Sequence, residues 1–205
     1  MIDEGYVKFA CDWTKAAAVP TDAIAELIEW RNRLHAAGLI GHDAINDVGF
    51  GNISCREPGI REFVVSATQT GHVPVATRHE FTRVVDYDIA ANRVVCRGPL
   101  RASSESLTHA AIYELDPDYL AVVHVHSRKM WEALAGRIPT TGAGIAYGTP
   151  AMARELRRLY RDTDLAGVRM AVMAGHEGGL VSTGGSLREA AGRVLQVSAD
   201  LPSLR

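Results

Sequence analysis

His124-Val125-His126, two histidines one residue apart at the end of an apolar run, are the side chains in this sequence best placed to share a metal ion. On a strand, residues i and i+2 leave the same face about 6.6 Å apart, so both imidazoles can converge on one cation at about 2.0–2.1 Å. Val125 would then face the other way, into a core. A single histidine in an apolar run is usually a hydrogen-bonded core residue; the pairing is what favours metal. His176 is the best third ligand, because Ala174-Gly175-His176-Glu177-Gly178-Gly179 follows an apolar segment and its glycines allow a tight turn and close approach. Three histidines with an open position describe a catalytic site rather than a closed structural one.

Upstream lies Ser103-Ser104-Glu105-Ser106-Leu107-Thr108-His109. Glu105 falls in the first turn of a predicted helix, where the dipole favours its charge, so helix-start electrostatics alone would explain it. Ser103 and Ser104 precede that helix, and two hydroxyls at a helix N-terminus make an anion site. Gly51-Asn52 and Thr70-Gly71 are two further segments where glycine lets backbone N–H groups face a phosphate. Taken singly, each is equally an ordinary cap, turn or loop. His109, one helical turn past Glu105, suits orienting a neighbouring ligand better than binding metal. His35, His42, His72 and His79 lie in helix or loop contexts where exposure is usual.

The elements that must position these residues are legible in part. Residues 1–19 read as an unpatterned arm. Thr21 is a plausible cap for a helix with Ile24, Leu27, Ile28, Trp30 and Leu34 on one face, stopped by Gly38. Residues 41–52 read as a loop leading into the strand Gly51–Cys55. Glu62–Ala67 reads as a strand, and Arg83–Ile89 with Arg93–Arg97 as a hairpin. A helix over about Ser104–Leu115 is followed by the strand Leu120–His126, a short helix near Lys129–Ala135 and a Gly- and Thr-rich segment over Ile138–Tyr147. Thr149-Pro150 starts a helix facing inward through Met152, Leu156, Leu159 and Tyr160. Val168–Met173 is apolar on both faces, as in a strand covered on both sides. Ser186-Leu187-Arg188-Glu189 has the capping-box pattern and opens a last helix with Ala190, Ala191, Val194 and Leu195 inward. Interleaved helices and strands predict a single α/β domain over 1–205, a three-layer α/β/α sandwich around a mixed central sheet.

Composition bounds the function. With 205 residues, 47% apolar and 22% charged, the chain is an ordinary globular protein with one well-buried core. A net charge of −2 argues against nucleic acid as a partner. No apolar run approaches the roughly 20 residues of a membrane span, and MIDEGYVKFACDW has no signal-peptide pattern, so a cytoplasmic protein without membrane partners is expected. Cys11, Cys55 and Cys96 are odd in number and far apart in sequence, which fits reduced thiols.

In combination these segments resemble the class II aldolase/adducin family, which includes fuculose-1-phosphate aldolases and ribulose-5-phosphate 4-epimerases. The resemblance runs from Gly51-Asn52-Ile53-Ser54 to the Ser186 helix. Its strongest parts are Ser103-Ser104-Glu105 with His109, the step of nineteen residues from Glu105 to His124, and the strand Ala121–His126. It implies that His124, His126 and His176 bind zinc or another divalent cation, and that Glu105 is the acid/base and can ligate the empty metal. It further implies that Gly51, Asn52, Thr70, Gly71, Ser103 and Ser104 hold a substrate phosphate, and that the chain forms a homotetramer with sites at subunit contacts.

The implied activity is that of an aldehyde-lyase, retro-aldol cleavage of a phosphorylated ketose or related hydroxy-ketone through a metal-stabilised enediolate. Dehydration, decarboxylation or epimerisation at the same site are alternatives, epimerisation the least favoured because the epimerases carry aspartate at the S-S-E glutamate. An adducin-like binding module is the alternative outside enzymes, although adducin heads lack the zinc histidines present here. Three departures from the family pattern stand out. The stretch from His176 to the last helix is slightly long, the chain ends soon after that helix without the tail that carries a tyrosine into a neighbouring site, and the helper tyrosine after the H-x-H strand has no clear match, with Tyr147 the nearest aromatic.

Overall fold

The computed structural model describes residues 7–201; the first six residues of the expected arm and the chain beyond residue 201 lie outside it. In chain order the strands are β1 (Ala10–Lys15), β2 (Gly41–Asp43), β3 (Val48–Phe50), β4 (Asn52–Cys55), β5 (Phe63–Ser66), β6 (Phe81–Asp88), β7 (Arg93–Gly98), β8 (Ala121–His126), β9 (Met170–Val172) and β10 (Gly179–Gly184). The helices are α1 (Ala25–Ala36), α2 (Ser106–Tyr113), α3 (Arg128–Leu134), α4 (Pro150–Asp162), α5 (Leu165–Val168) and α6 (Leu187–Asp200).

Eight of these strands form one sheet in the order β1-β7-β6-β5-β4-β8-β10-β9. Neighbours are antiparallel except β1 and β7, whose parallel pairing makes the sheet mixed. Side-chain alternation sends the two faces of each strand into separate cores. On β8, Val122 packs with Leu107 and Ala111 of α2 and Met152 and Leu156 of α4. Val123 and Val125 point oppositely, toward Leu27 and Leu34 of α1 and Ala190 and Val194 of α6. Each such leucine contributes about 1.5–3 kcal/mol of burial. The result is a three-layer α/β/α sandwich, with the histidine strand at its centre.

Several local features differ from the sequence expectation. Cys11, Trp13 and their neighbours form an edge strand, β1, rather than an unpatterned arm; Trp13 Nε1 donates to the Gly98 carbonyl at 3.0 Å. The segment before β4 folds back as the small β2–β3 hairpin. Gly179–Gly184, unassigned in the sequence, is a fully buried strand between β8 and β9. Thr21 makes no cap hydrogen bond; a 3₁₀ turn over Asp22–Ile24 leads into α1, which Gly38 (φ 71°) ends as expected. Thr149 and Ser186 do cap their helices, accepting from Met152 N and Glu189 N, and α6 continues to Asp200. Cys11 and Cys96, distant in sequence, sit on the paired strands β1 and β7 with their Sγ atoms 3.8 Å apart, with no disulfide between them. Among the described residues, no helix is long and apolar enough to cross a membrane.

Candidate metal centre and anion cradle

His124 and His126 leave β8 on one face, and the turn joining β9 to β10 brings His176 to them. Nε2 of His126 lies 3.0 Å from Nε2 of His124 and 3.0 Å from Nε2 of His176. One nitrogen from each ring falls within 4.8 Å of the other two, the only such group of possible metal ligands among the described residues. The His176 turn is pinned at both ends: Met173 N donates to the Gly179 carbonyl at 3.0 Å, and His176 N and Trp131 Nε1 both donate to the Met173 carbonyl at 3.0 Å. Gly179 is required by space: a Cβ there would lie 2.6 Å from His176 Cδ2 and 3.2 Å from His124 Cε1.

Protonation suits metal binding. His124 Nδ1 faces the Leu180 carbonyl at 3.1 Å, and a carbonyl only accepts, so Nδ1 carries the proton and the Nε2 lone pair is directed at the other rings. Burial holds the His124 pKa down to about 4 and those of His126 and His176 well below the usual imidazole value. All three rings are therefore neutral at pH 7, the form in which an imidazole can bind a metal.

Glu105 completes the constellation. It occupies the residue before α2, but its carboxylate does not cap that helix. Instead Oε1 lies 3.7 Å from His124 Nε2 and 3.5 Å from His176 Nε2. The residue is 1% exposed, and neither carboxylate oxygen has a hydrogen-bond partner that meets normal geometry. Burial lifts its pKa to about 8, against smaller opposing influences from Thr108 and the Lys8 ammonium. A buried, unpaired carboxylate beside three converging imidazole nitrogens is costly unless a cation neutralises it. Three neutral imidazoles with a carboxylate standing beside them fit zinc or a similar divalent cation with a position left open.

His109 does not orient these ligands. Its Nδ1 lies 2.7 Å from Ser54 Oγ, which lies 2.7 Å from the Tyr113 hydroxyl, a buried polar chain behind the site. The expected contact to the metal ligands is thus replaced by one to β4.

Gly51, Asn52, Thr70, Gly71, Ser103 and Ser104 come together around one enclosed pocket. It adjoins the histidines, since Asn52 sits directly across from His124 in the β4–β8 ladder and Ser104 precedes Glu105. Asn52 is 6% exposed and its Oδ1 has no partner among the described residues. No ionisable side chain lines the pocket, so its donors are backbone N–H groups, hydroxyls and amides. On the other side, an open cleft lined by Val48, Phe50, Ser127 and Arg128 reaches His126.

Two residues lie beside the histidines: Tyr147, offered by the sequence only as a possible substitute for the helper tyrosine, and Lys8, to which the sequence gave no role. Tyr147 is buried with its ring centroid 4.4 Å from that of His176, and the Lys8 ammonium sits 3.4 Å above the Tyr147 ring. Asn92 Nδ2 donates to the Lys8 carbonyl at 2.7 Å, which fixes this part of the chain to the β6–β7 turn. Nothing near Lys8 in sequence signals this position; it depends on recognising β1 as a strand.

Comparison with known proteins agrees with this geometry. The family described as Class II Aldolase and Adducin N-terminal domain matches residues 31–199. No curated protein matches the chain significantly by sequence. Among solved structures, L-fuculose-1-phosphate aldolase from Thermus thermophilus is 20% identical with a TM-score of 0.66, covering 90% of this chain and 93% of its own. A sugar-phosphate aldolase from Thermotoga maritima is 16% identical with a TM-score of 0.67, covering 90% and 94%. YgbL of Escherichia coli, a candidate aldolase/epimerase/decarboxylase, is 18% identical with a TM-score of 0.64, covering 89% and 88%. At these identities the similarity is one of fold.

Proposed function

The chain belongs to the family of class II aldolases and adducin N-terminal domains, and from that premise we propose that it is a zinc-dependent aldehyde-lyase cleaving a phosphorylated ketose by retro-aldol reaction. The observation that carries this reading is the buried Glu105 carboxylate, unpaired and 3.5–3.7 Å from two of three converging histidine nitrogens. A scaffold without chemistry to perform gains nothing from that arrangement.

His124, His126 and His176 would hold the cation. Bound there, it would polarise the substrate carbonyl and stabilise the enediolate left when the C–C bond breaks. Glu105 holds a proton at its carboxyl and delivers it to the enediolate carbon, its burial favouring the protonated form. The cradle of Gly51, Asn52, Thr70, Gly71, Ser103 and Ser104 binds the phosphate, remote from the bond that breaks, and so contributes positioning energy. Tyr147 packs on His176 and excludes water from that side of the ring. The working form would be a homotetramer in the cytoplasm, and light scattering of the purified protein tests the tetramer.

Product analysis with a panel of ketose phosphates is the direct test. A carbonyl pair released in a chelator-sensitive reaction supports cleavage. Loss of water or of CO₂ from the same substrates would assign one of the sister reactions, and inversion without cleavage would assign an epimerase. A protein purified without chelator that contains no metal would favour the binding module.

A further inference from the structure

Arg31, on the inner face of α1, is 1% exposed, yet it contacts no carboxylate among the described residues; Glu80 acts on it only at a distance. Its guanidinium donates to three backbone carbonyls of one loop, Thr70 at 2.7 Å from Nη2, and Val73 and Pro74 from Nη1, with Asn32 Oδ1 at 3.3 Å. From the same helix, His35 Nε2 lies 3.1 Å from the Gly71 carbonyl. A guanidinium is always charged, and a buried charge satisfied by carbonyls alone is stabilised far less than one with a counter-ion.

The loop it grips forms one wall of the anion cradle. Its peptide bonds are trans, so each N–H points away from the C=O of the same unit. Arg31 takes the Thr70 carbonyl from the α1 side, which turns the Gly71 N–H the opposite way, and His35 does the same for the next peptide. Gly71 is buried, and its N–H has no acceptor among the described residues. Gly71 must also be glycine, since a Cβ there would fall 1.9 Å from the Gly41 carbonyl oxygen.

We infer that Arg31 is a positioning residue for the cradle: it aims the Gly71 N–H at the bound anion and places a fixed positive charge behind a pocket that no ionisable side chain lines. The inference rests on the reading of the cradle as the phosphate site. An anion held there supplies the close counter-charge that the interior around Arg31 lacks, so a phosphate dianion is bound through neutral donors with a cation behind them. Arg31 touches neither the substrate nor the reacting atoms.

Inorganic phosphate is the probe, its affinity measured by titration calorimetry on the metal-loaded protein. Arg31→Met is expected to weaken phosphate at least about 10-fold, and Arg31→Lys, which keeps the charge but cannot span the carbonyl set, to fall between. Zinc content should stay unchanged. With a phosphorylated ketose, KM should rise by a similar factor while kcat stays within about twofold, a split that general loosening of the fold would not produce. Where Arg31→Met does not fold, Arg31→Lys carries the test. Equal phosphate affinity in the folded variants overturns the inference. So does wild-type protein that binds no phosphate, and if that protein still cleaves its substrate the lyase reading survives alone. Arg31-dependent phosphate binding in a protein that cleaves no ketose supports the inference and overturns the lyase reading.

Discussion

At the scale of residues, the buried groups of the metal-free protein titrate against one another. Burial depresses His109 to about 3 and His124 to about 4, so below about pH 6.5 the unfolded chain takes up protons that the folded chain refuses, and stability falls as pH falls. Glu105 works in the opposite sense. Its folded pKa of about 8 exceeds the unfolded value of 4.5, so the folded state binds the extra proton and stability falls as pH rises from 4.5 to 8. Each group contributes a slope of up to about 1.4 kcal/mol per pH unit. His126 and His176 are depressed in the same way, and among the groups of the site these four histidines outweigh the one glutamate below about pH 7, above which the glutamate dominates. Urea unfolding of chelated protein should therefore show greatest stability near about pH 7, and Glu105→Gln should remove the alkaline limb set by that carboxyl; an unchanged limb would show that Glu105 does not titrate there. Replacing both His124 and His126 by alanine should abolish zinc binding, read by elemental analysis, and unchanged metal content would remove them from the site.

At the scale of elements, the candidate metal centre depends on β8 and the β9–β10 turn, and the two were unequally legible. Ala121–His126 announced itself because an apolar run with two histidines at strand spacing has few other readings. Gly179–Gly184 did not, because glycines at both ends and Ser182-Thr183 between them look like a loop; burial on both faces, not propensity, makes it a strand. β1 was hidden for the opposite reason, being an edge strand with mostly exposed side chains and no continuous apolar pattern, and the Lys8–Tyr147 contact was hidden with it. All eight residues of α2 are buried, so no amphipathic stripe marked it and Ser103–Glu105 had to serve as its landmark. That landmark misplaced the role of Glu105 as a helix-start charge when read alone, since only the fold turns its carboxylate to the histidines. Gly179→Ala tests the turn: the added methyl should displace His176 or His124 and lower zinc affinity at least about 10-fold, a size in line with loss of supporting contacts around a metal ligand. Wild-type affinity in this variant would mean that the turn is not held by that contact.

At the scale of the whole molecule, two cores clamp one sheet, and the candidate site sits where the central strands β4, β8 and β10 meet the start of α2. Three neutral ligands and a buried acid assembled from distant parts of the chain are present together only in the folded state. Metal should therefore stabilise folding by mass action, about 4 kcal/mol at a free concentration 1,000-fold above Kd. At about 2–4 °C per kcal/mol for a domain of this size, chelation should lower Tm by about 8–16 °C. A melting temperature indifferent to chelator would contradict binding in the interior. The role proposed for Glu105 is to move the proton at a metal site it does not create. It is tested most directly by the turnover of Glu105→Gln at full metal occupancy, on the substrate that the wild-type protein cleaves. The expected result is wild-type zinc content with turnover reduced about 10²–10⁴-fold, the range of general acid–base catalysis. Wild-type turnover in the fully metallated variant would contradict the account.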